Sequence, residues 1–242
     1  MTLDTRPHHW CVGIDLHKDT LTVCTYCSCC GEVAFQKLAC KCRGQITEFF
    51  AALPRPHVVA IEAVGFYRWL WELLEPLVDK LVLADATAAR ALAGRRLKTD
   101  REDALNVADL LAAGRLPLAY APPLEVQILK DQTRHRNQLS RLHARVLHQV
   151  KSLMNANNRP GPTRLKSDGL IRYLKAFESK LPERHIAILW KCVDQLTLLE
   201  RQIAQAELEL RHLLDSERFR DVAAILHSFP GVGLIVSATV LA

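Results

Sequence analysis

The chain changes character once, around the prolines at 117, 122 and 123, and this break limits the possible folds more than any composition figure. Before it, short runs rich in Val, Ile, Leu and Cys alternate with helical patterns. After it there is no strand signal, and Gly and Pro are scarce until Arg159-Pro160-Gly161-Pro162. Such a chain builds one half around a sheet and the other from helices alone. Apolar runs at 10–15, 21–26, 33–38, 58–62 and 80–84 predict strands, and helical spacing predicts helices over 45–53, 67–78 and 87–93. Three strands in succession, then alternating helix and strand, predict a mixed α/β sheet with helices on its faces. Gly31-Glu32 marks the hairpin between the second and third strands.

In the second half Leu139, Leu142, Val146, Val150 and Leu153 recur at three- and four-residue steps. Ile186, Leu189, Val193, Leu196, Ile203, Ala206, Leu210 and Leu213 do the same, so two long amphipathic helices are expected, with a short one around 170–177 between them. They can pair with each other as an antiparallel coiled coil or with a second chain, and the pattern leaves both open. Residues 222–242 carry no charged side chain and approach the roughly 20 residues of a bilayer span. Ser228-Phe229-Pro230-Gly231-Val232-Gly233 interrupts them at the midpoint, which predicts two short helices and a tight turn rather than a membrane segment. That turn is similar to a helix-hairpin-helix, whose glycines let backbone N–H groups approach a DNA phosphate; a plain helix–helix turn fits equally.

The net charge of +6 is clustered. Arg134, His135, Arg136, Arg141, His143, Arg145, His148 and Lys151 crowd one predicted helix, Arg159, Arg164 and Lys166 follow it, and acids are nearly absent there. A phosphate backbone is the natural partner, with an ordinary solvated helix face as the alternative. A second basic group is Arg90, Arg95, Arg96, Lys98 and Arg101. Residues 1–10 lack a basic-then-apolar signal pattern, so the eight cysteines are read as cytosolic thiols without a disulfide framework. Cys24 and Cys27, with Cys40 and Cys42, offer four thiolates to one Zn²⁺ across a hairpin, although Cys within a strand also serves as a small apolar residue. Cys11 and Cys192 read as core thiols.

Acids stand at selected ends of these elements. Asp15 ends the first predicted strand and Glu62 the fourth. If those strands are parallel neighbours, the two carboxylates share one edge of the sheet, where α/β proteins gather their ligands. Thr99 is a plausible N-cap for a helix in which Asp100 and Asp103, three apart, lie on one face. A solvated strand end and a dipole-favouring first turn are the ordinary explanations. Together, however, the four form a set of hard oxygen ligands that repel one another unless one or two Mg²⁺ ions join them. Such a site suits phosphodiester cleavage.

Gly13-Ile14-Asp15, Ile61-Glu62-Ala63-Val64-Gly65-Phe66-Tyr67 and Lys98-Thr99-Asp100-Arg101-Glu102-Asp103-Ala104 resemble, in order and spacing, the Asp-Glu-Asp-Asp (DEDD) transposases of IS110-type insertion sequences. The resemblance implies an RNase H-like domain similar to the Holliday-junction resolvase RuvC over 8–117 and a helical coiled-coil region over 118–220. It further implies the start of a C-terminal transposase domain over 221–242. It implies Mg²⁺ at Asp15, Glu62, Asp100 and Asp103, and contact with DNA and a structured noncoding guide RNA. The basic positions expected to bind nucleic acid are Arg95, Arg96, Lys98, Arg134, Arg136, Arg141, Arg145, Lys151, Arg159 and Arg164. A homo-oligomer, dimer or tetramer, is expected through the helices, in a bacterial cytoplasm and on the nucleoid when DNA is bound. Val64 stands where the family usually carries Thr, and the chain stops at Ala242, before the segment that holds the family's attacking serine. A truncated or split product, incomplete for strand exchange, is therefore expected; the alternative is a non-catalytic nucleic-acid-binding coiled-coil protein. An actin-like ATPase or sugar kinase, which also begins with an acid on its first strand, needs glycine-rich phosphate loops, and Leu16-His17-Lys18-Asp19-Thr20 has no glycine.

Overall fold

The computed structural model describes residues 10–93, 99–162 and 166–242. Its compact units divide between Ala121 and Pro122. In the first, strands β1 (Trp10–Leu16), β2 (Thr20–Cys27), β3 (Val33–Ala39), β4 (His57–Glu62) and β5 (Lys80–Ala84) form one sheet in the order β3-β2-β1-β4-β5. The β1–β2 and β2–β3 pairs are antiparallel, whereas β1–β4 and β4–β5 are parallel. The central strands are buried on both faces, which is why they read as near-continuous apolar runs rather than as alternating ones. The family's RNase H-like order of a hairpin-linked triplet followed by parallel strands is consistent with this mixed sheet.

The two faces carry different helices. Val12, Ile14, Leu16, Val59 and Ile61 point to one side, where they pack with Ile46 and Phe50 of α1 (Arg43–Ala51) and Leu70 and Leu74 of α2 (Arg68–Leu74). Cys11, Val58, Ala60 and Val82 point to the other, against Val107, Leu110 and Leu111 of the helix Asp100–Ala112 and Ala89 of α3 (Ala86–Ala93). We number the Asp100–Ala112 helix α4. It lies directly on β1 at Gly13: a Cβ there would meet Ala104 O at 2.3 Å and Ala108 N at 2.6 Å. Only a glycine opposite small helix residues permits this approach, and it sets the height of the first turn of α4 over the sheet.

Thr99 caps α4 as its sequence suggests, its Oγ1 accepting the Glu102 N–H at 3.2 Å. Thr99→Ala is expected to cost about 1 kcal/mol in urea unfolding, whereas Thr99→Ser should be nearly neutral. After α4 the chain returns beside β5, where Asp85 N–H donates to Pro117 O and Ala119 N–H to Leu83 O. Residues past Pro117 therefore still belong to the sheet unit, and the break in composition precedes the break in structure.

In the second unit α5 (Leu124–Ala156) and α7 (Glu183–Leu214), 33 and 32 residues long, lie side by side. Each spans about 50 Å. Contacts from Arg136 to Glu207, His143 to Glu200 and Asn157 to His185 run in opposite directions along the two helices, so the pair is antiparallel and formed within one chain. Its ends are closed by separate apolar clusters. Val150, Met154, Leu189 and Val193 enclose Leu170 and Leu174 of α6 (Ser167–Lys175) at one end. Val126, Leu129, Leu210 and Leu214 meet Ala223 of α8 (Arg220–His227) and Ala238 of α9 (Leu234–Leu241) at the other. Gly231, at φ +84°, makes the turn between α8 and α9. Among the described residues no helix is long and apolar enough to cross a membrane.

Candidate metal centre and basic helix face

Register decides where the acids meet. Ile14 pairs with Ile61 across the parallel β1–β4 ladder, so Asp15 and Glu62 come next at the same level on neighbouring strands and on the α4 face. Thr22 sits opposite Asp15 on β2 and Lys37 opposite Thr22 on β3, which makes a row of polar side chains across four strands. The first turn of α4 carries Asp100 and Asp103 above that row. The Asp15 and Asp100 carboxylates and the His17 imidazole have ligand atoms all within 4.8 Å of one another. Glu62 and Asp103 are within reach of the Asp15 charge as well.

The cluster is electrostatically unbalanced at its centre and neutralised at its rim. Asp15 is 4% exposed; burial pushes its carboxyl up, His17 opposes this, and Asp103 and Asp100 push it further. Burial and the Asp15 charge raise Glu62 as well, with Arg90 of α3 opposing at 3.6 Å. Asp100 moves down, because the Lys37 ammonium holds it at 2.8 Å. His17 Nε2 lies 3.0 Å from Asp15 Oδ2 and 3.5 Å from Asp100 Oδ1, in the position of a cation between two acids. It stands at ion-pair distance without hydrogen-bond alignment, so Asp15 Oδ2 is buried with no hydrogen-bond partner among the described residues. Thr22 Oγ1, across the ladder, is also buried and unpartnered. Buried oxygens without hydrogen-bond partners, among carboxylates raised by burial and by one another, fit a hard divalent cation, which would satisfy both the lone pairs and the charge.

His17, Lys37 and Thr22 were not among the residues singled out in the sequence. Two were legible in principle, since His17 follows Asp15 by two and Thr22 faces it across the short connection between the first two strands. Lys37 needs the register. Asp85, a third acid at a strand end, does not join the cluster; its Oδ1 instead accepts the Thr87 and Ala88 N–H groups at 2.9 and 3.0 Å and starts α3.

The basic positions separate into different groups. Arg134, Arg141 and Arg145 are exposed along one side of α5, lining a shallow hollow with Asn137, Gln138 and Leu142. No ion pair engages these three among the described residues. Arg136 does not belong with them: its Nε and Nη2 donate to Glu207 Oε1 of α7 at 3.0 and 2.6 Å, so it joins the helix pair instead of facing a phosphate. Lys151 is exposed, its stem lying under the backbone of Gly161, and Arg159 has its Nε buried without a partner among the described residues. Arg95, Arg96, Lys98 and Arg164 lie outside the described residues.

The four thiols expected to share zinc do not converge. Cys24 is buried beneath Ala104 and Ala108 of α4, and Cys27 ends β2 near the hairpin tip. Cys40 and Cys42 follow the far end of β3, where Ala39 pairs with Thr20. The antiparallel ladder itself holds Cys27 at one end of the ribbon, Cys24 in mid-strand and Cys40 and Cys42 past the other end.

A family model described as a DEDD transposase of the IS110 type matches residues 12–157, more than half of the chain. No curated protein matches the chain. The matched stretch runs from β1 into the end of α5 and takes in all four acids and the basic helix. With the mixed sheet and the acid-bearing strand ends in place, the chain belongs to the DEDD transposase family of IS110-type insertion sequences.

Proposed function

We propose that this protein is a Mg²⁺-dependent DNA transposase whose divalent-metal ligands are Asp15, Glu62, Asp100 and Asp103, and whose DNA choice is delegated to a structured noncoding RNA. The observation that carries the reading is the single level shared by Asp15 and Glu62 on parallel neighbours, with the first turn of α4 above them. A cation of this class, when bound, polarises the scissile phosphate and activates a nucleophile. Asp15, whose Oδ2 has no hydrogen-bond partner among the described residues, would anchor the cation, and Asp100 and Glu62, now paired with the exposed Lys37 and Arg90, would complete the set with Asp103. Titration of the whole chain with Mg²⁺ and with Mn²⁺, read by calorimetry, tests this. Absence of binding by either ion would overturn it and leave the non-catalytic nucleic-acid-binding reading, which the existing pairs of Lys37 with Asp100 and Arg90 with Glu62 favour.

The exposed side of α5 is the proposed track for the nucleic-acid backbone. Replacing Arg134, Arg141 and Arg145 together by Gln should weaken binding to unrelated sequences alike and lower the slope of log K against log salt by up to about 3. Arg136→Gln should leave that slope in place and instead destabilise the α5–α7 pair. Equal slope changes in the two variants would contradict this division. Assembly into a dimer or tetramer through the helical unit is supported by Leu198 and Leu208, which remain exposed on α7. The bacterial cytoplasm, with the nucleoid as the site of action, completes the proposal.

A further inference from the structure

Cys27, one member of the expected zinc set, meets two other thiols instead. Cys27 is the last residue of β2, and Cys29 and Cys30 lie in the turn before β3. Their Sγ atoms all lie within 4.8 Å of one another, with Cys27 and Cys29 2.8 Å apart. The turn holds them in place: Gly31 N–H donates to Cys27 O and Cys27 N–H to Glu32 O, both at 2.9 Å, and Gly31 closes the loop at φ +73°. Cys27 is buried at the root of the cluster, while Cys29 and Cys30 are open to solvent, and all three are free thiols.

We propose that Cys27, Cys29 and Cys30 form a three-thiolate site for a soft d¹⁰ cation of the Zn²⁺ or Cu⁺ kind, with a further position open to solvent. Sulfur donors select such ions over Mg²⁺, and no oxygen or nitrogen ligand joins this group among the described residues. A Zn–S bond of about 2.3 Å in a tetrahedron sets the sulfurs roughly 3.8 Å apart, which the cluster reaches with small side-chain rotations. Hydrogen bonds from the Cys29 and Cys30 thiols and from the Cys30 backbone bring Cys27 down to about 7. Its hydrogen bond with the Cys27 thiol pushes Cys29 up to about 11, and two thiolates side by side require a cation. Binding releases the remaining thiol protons to solvent and leaves sulfur oxidation states unchanged. The site is separate from the carboxylates, since Thr22, opposite Asp15, lies five residues along β2 from Cys27, or about 17 Å. A metal here would brace the exposed edge ribbon from which Lys37 reaches Asp100.

The test is anaerobic titration of the reduced full-length chain with Co²⁺, a spectroscopic substitute for Zn²⁺, and separately with Cu⁺. Thiolate-to-metal charge-transfer absorption in the near ultraviolet that saturates at one thiolate-bound ion per chain is expected, and Zn²⁺ should displace the Co²⁺ that gives it. Cys29→Ser and Cys30→Ser, both at exposed positions, should weaken binding at least ~10-fold and reduce that absorption. Cys40→Ser, Cys42→Ser and the Asp15→Asn/Glu62→Gln pair should leave it intact. Absence of thiolate absorption with both ions, or its full retention in both Cys29→Ser and Cys30→Ser, overturns the proposal.

Discussion

Asp15→Asn combined with Glu62→Gln is expected to abolish the thermal stabilisation that Mg²⁺ or Mn²⁺ confers on the wild-type chain. A ligand at a hundred times its Kd stabilises the folded state by about 2.7 kcal/mol, so the wild-type melting temperature should climb clearly while the variant's stays flat. The metal-free variant should be no less stable than the wild type. Asp15 is buried, its carboxyl is pushed up by burial and by Asp103 and Asp100, and Glu62 is pushed up by burial and by Asp15. Neutral amides of the same shape remove that repulsion. Opposite signs with and without metal distinguish a ligand set from an ordinary structural cluster, whose loss would destabilise under both conditions. A metal-induced shift of wild-type size in the double variant would refute the assignment.

Gly13→Ala is the other change with a large expected effect, although it adds a single methyl group. The obstructing atoms, Ala104 O and Ala108 N, belong to the backbone of α4, so no flexible side chain can move aside. Either α4 lifts off β1 or the strand bends away, at a cost near the upper end of the ordinary overpacking range, about 3 kcal/mol. In urea unfolding the midpoint should fall with little change in slope. Because the same helix carries Asp100 and Asp103, metal affinity should fall along with stability. Gly44→Ala is the matched control: nothing lies within 4 Å of the added carbon in α1, and helix propensity predicts a neutral or stabilising change of up to about 1 kcal/mol. A Gly13→Ala protein as stable as the wild type would mean that α4 is not seated on β1 as described.

Much of the fold is local and therefore readable in the chain itself. Strands β1, β4 and β5 announce themselves because burial on both faces demands unbroken apolar runs. Asp15 and Glu62 are noticeable because each sets a charge where an apolar run gives out. Thr99 declares a helix start because its hydroxyl satisfies an N–H three residues away, and Gly231 declares a turn because few other residues accept positive φ. Periodicity likewise reveals α5 and α7, though not their partner.

What remained hidden depends on atoms far apart in sequence. That Asp15 and Glu62 share a level follows from the parallel pairing of β1 with β4, a choice of strand order that neither strand contains. Lys37 reaches Asp100 across 63 residues, and Arg136 reaches Glu207 across 71, so one arginine of a basic row is withdrawn from the surface by a helix that the row does not specify. The cysteines show the same division: spacing alone offered Cys24, Cys27, Cys40 and Cys42 as a set, while the ladder separates them and the hairpin turn gathers Cys27, Cys29 and Cys30. Hydrogen bonds and backbone preferences act over a few residues and leave their mark on neighbouring letters. Register, helix seating and charge pairing come from close packing between distant segments, and only the folded chain brings those segments within reach.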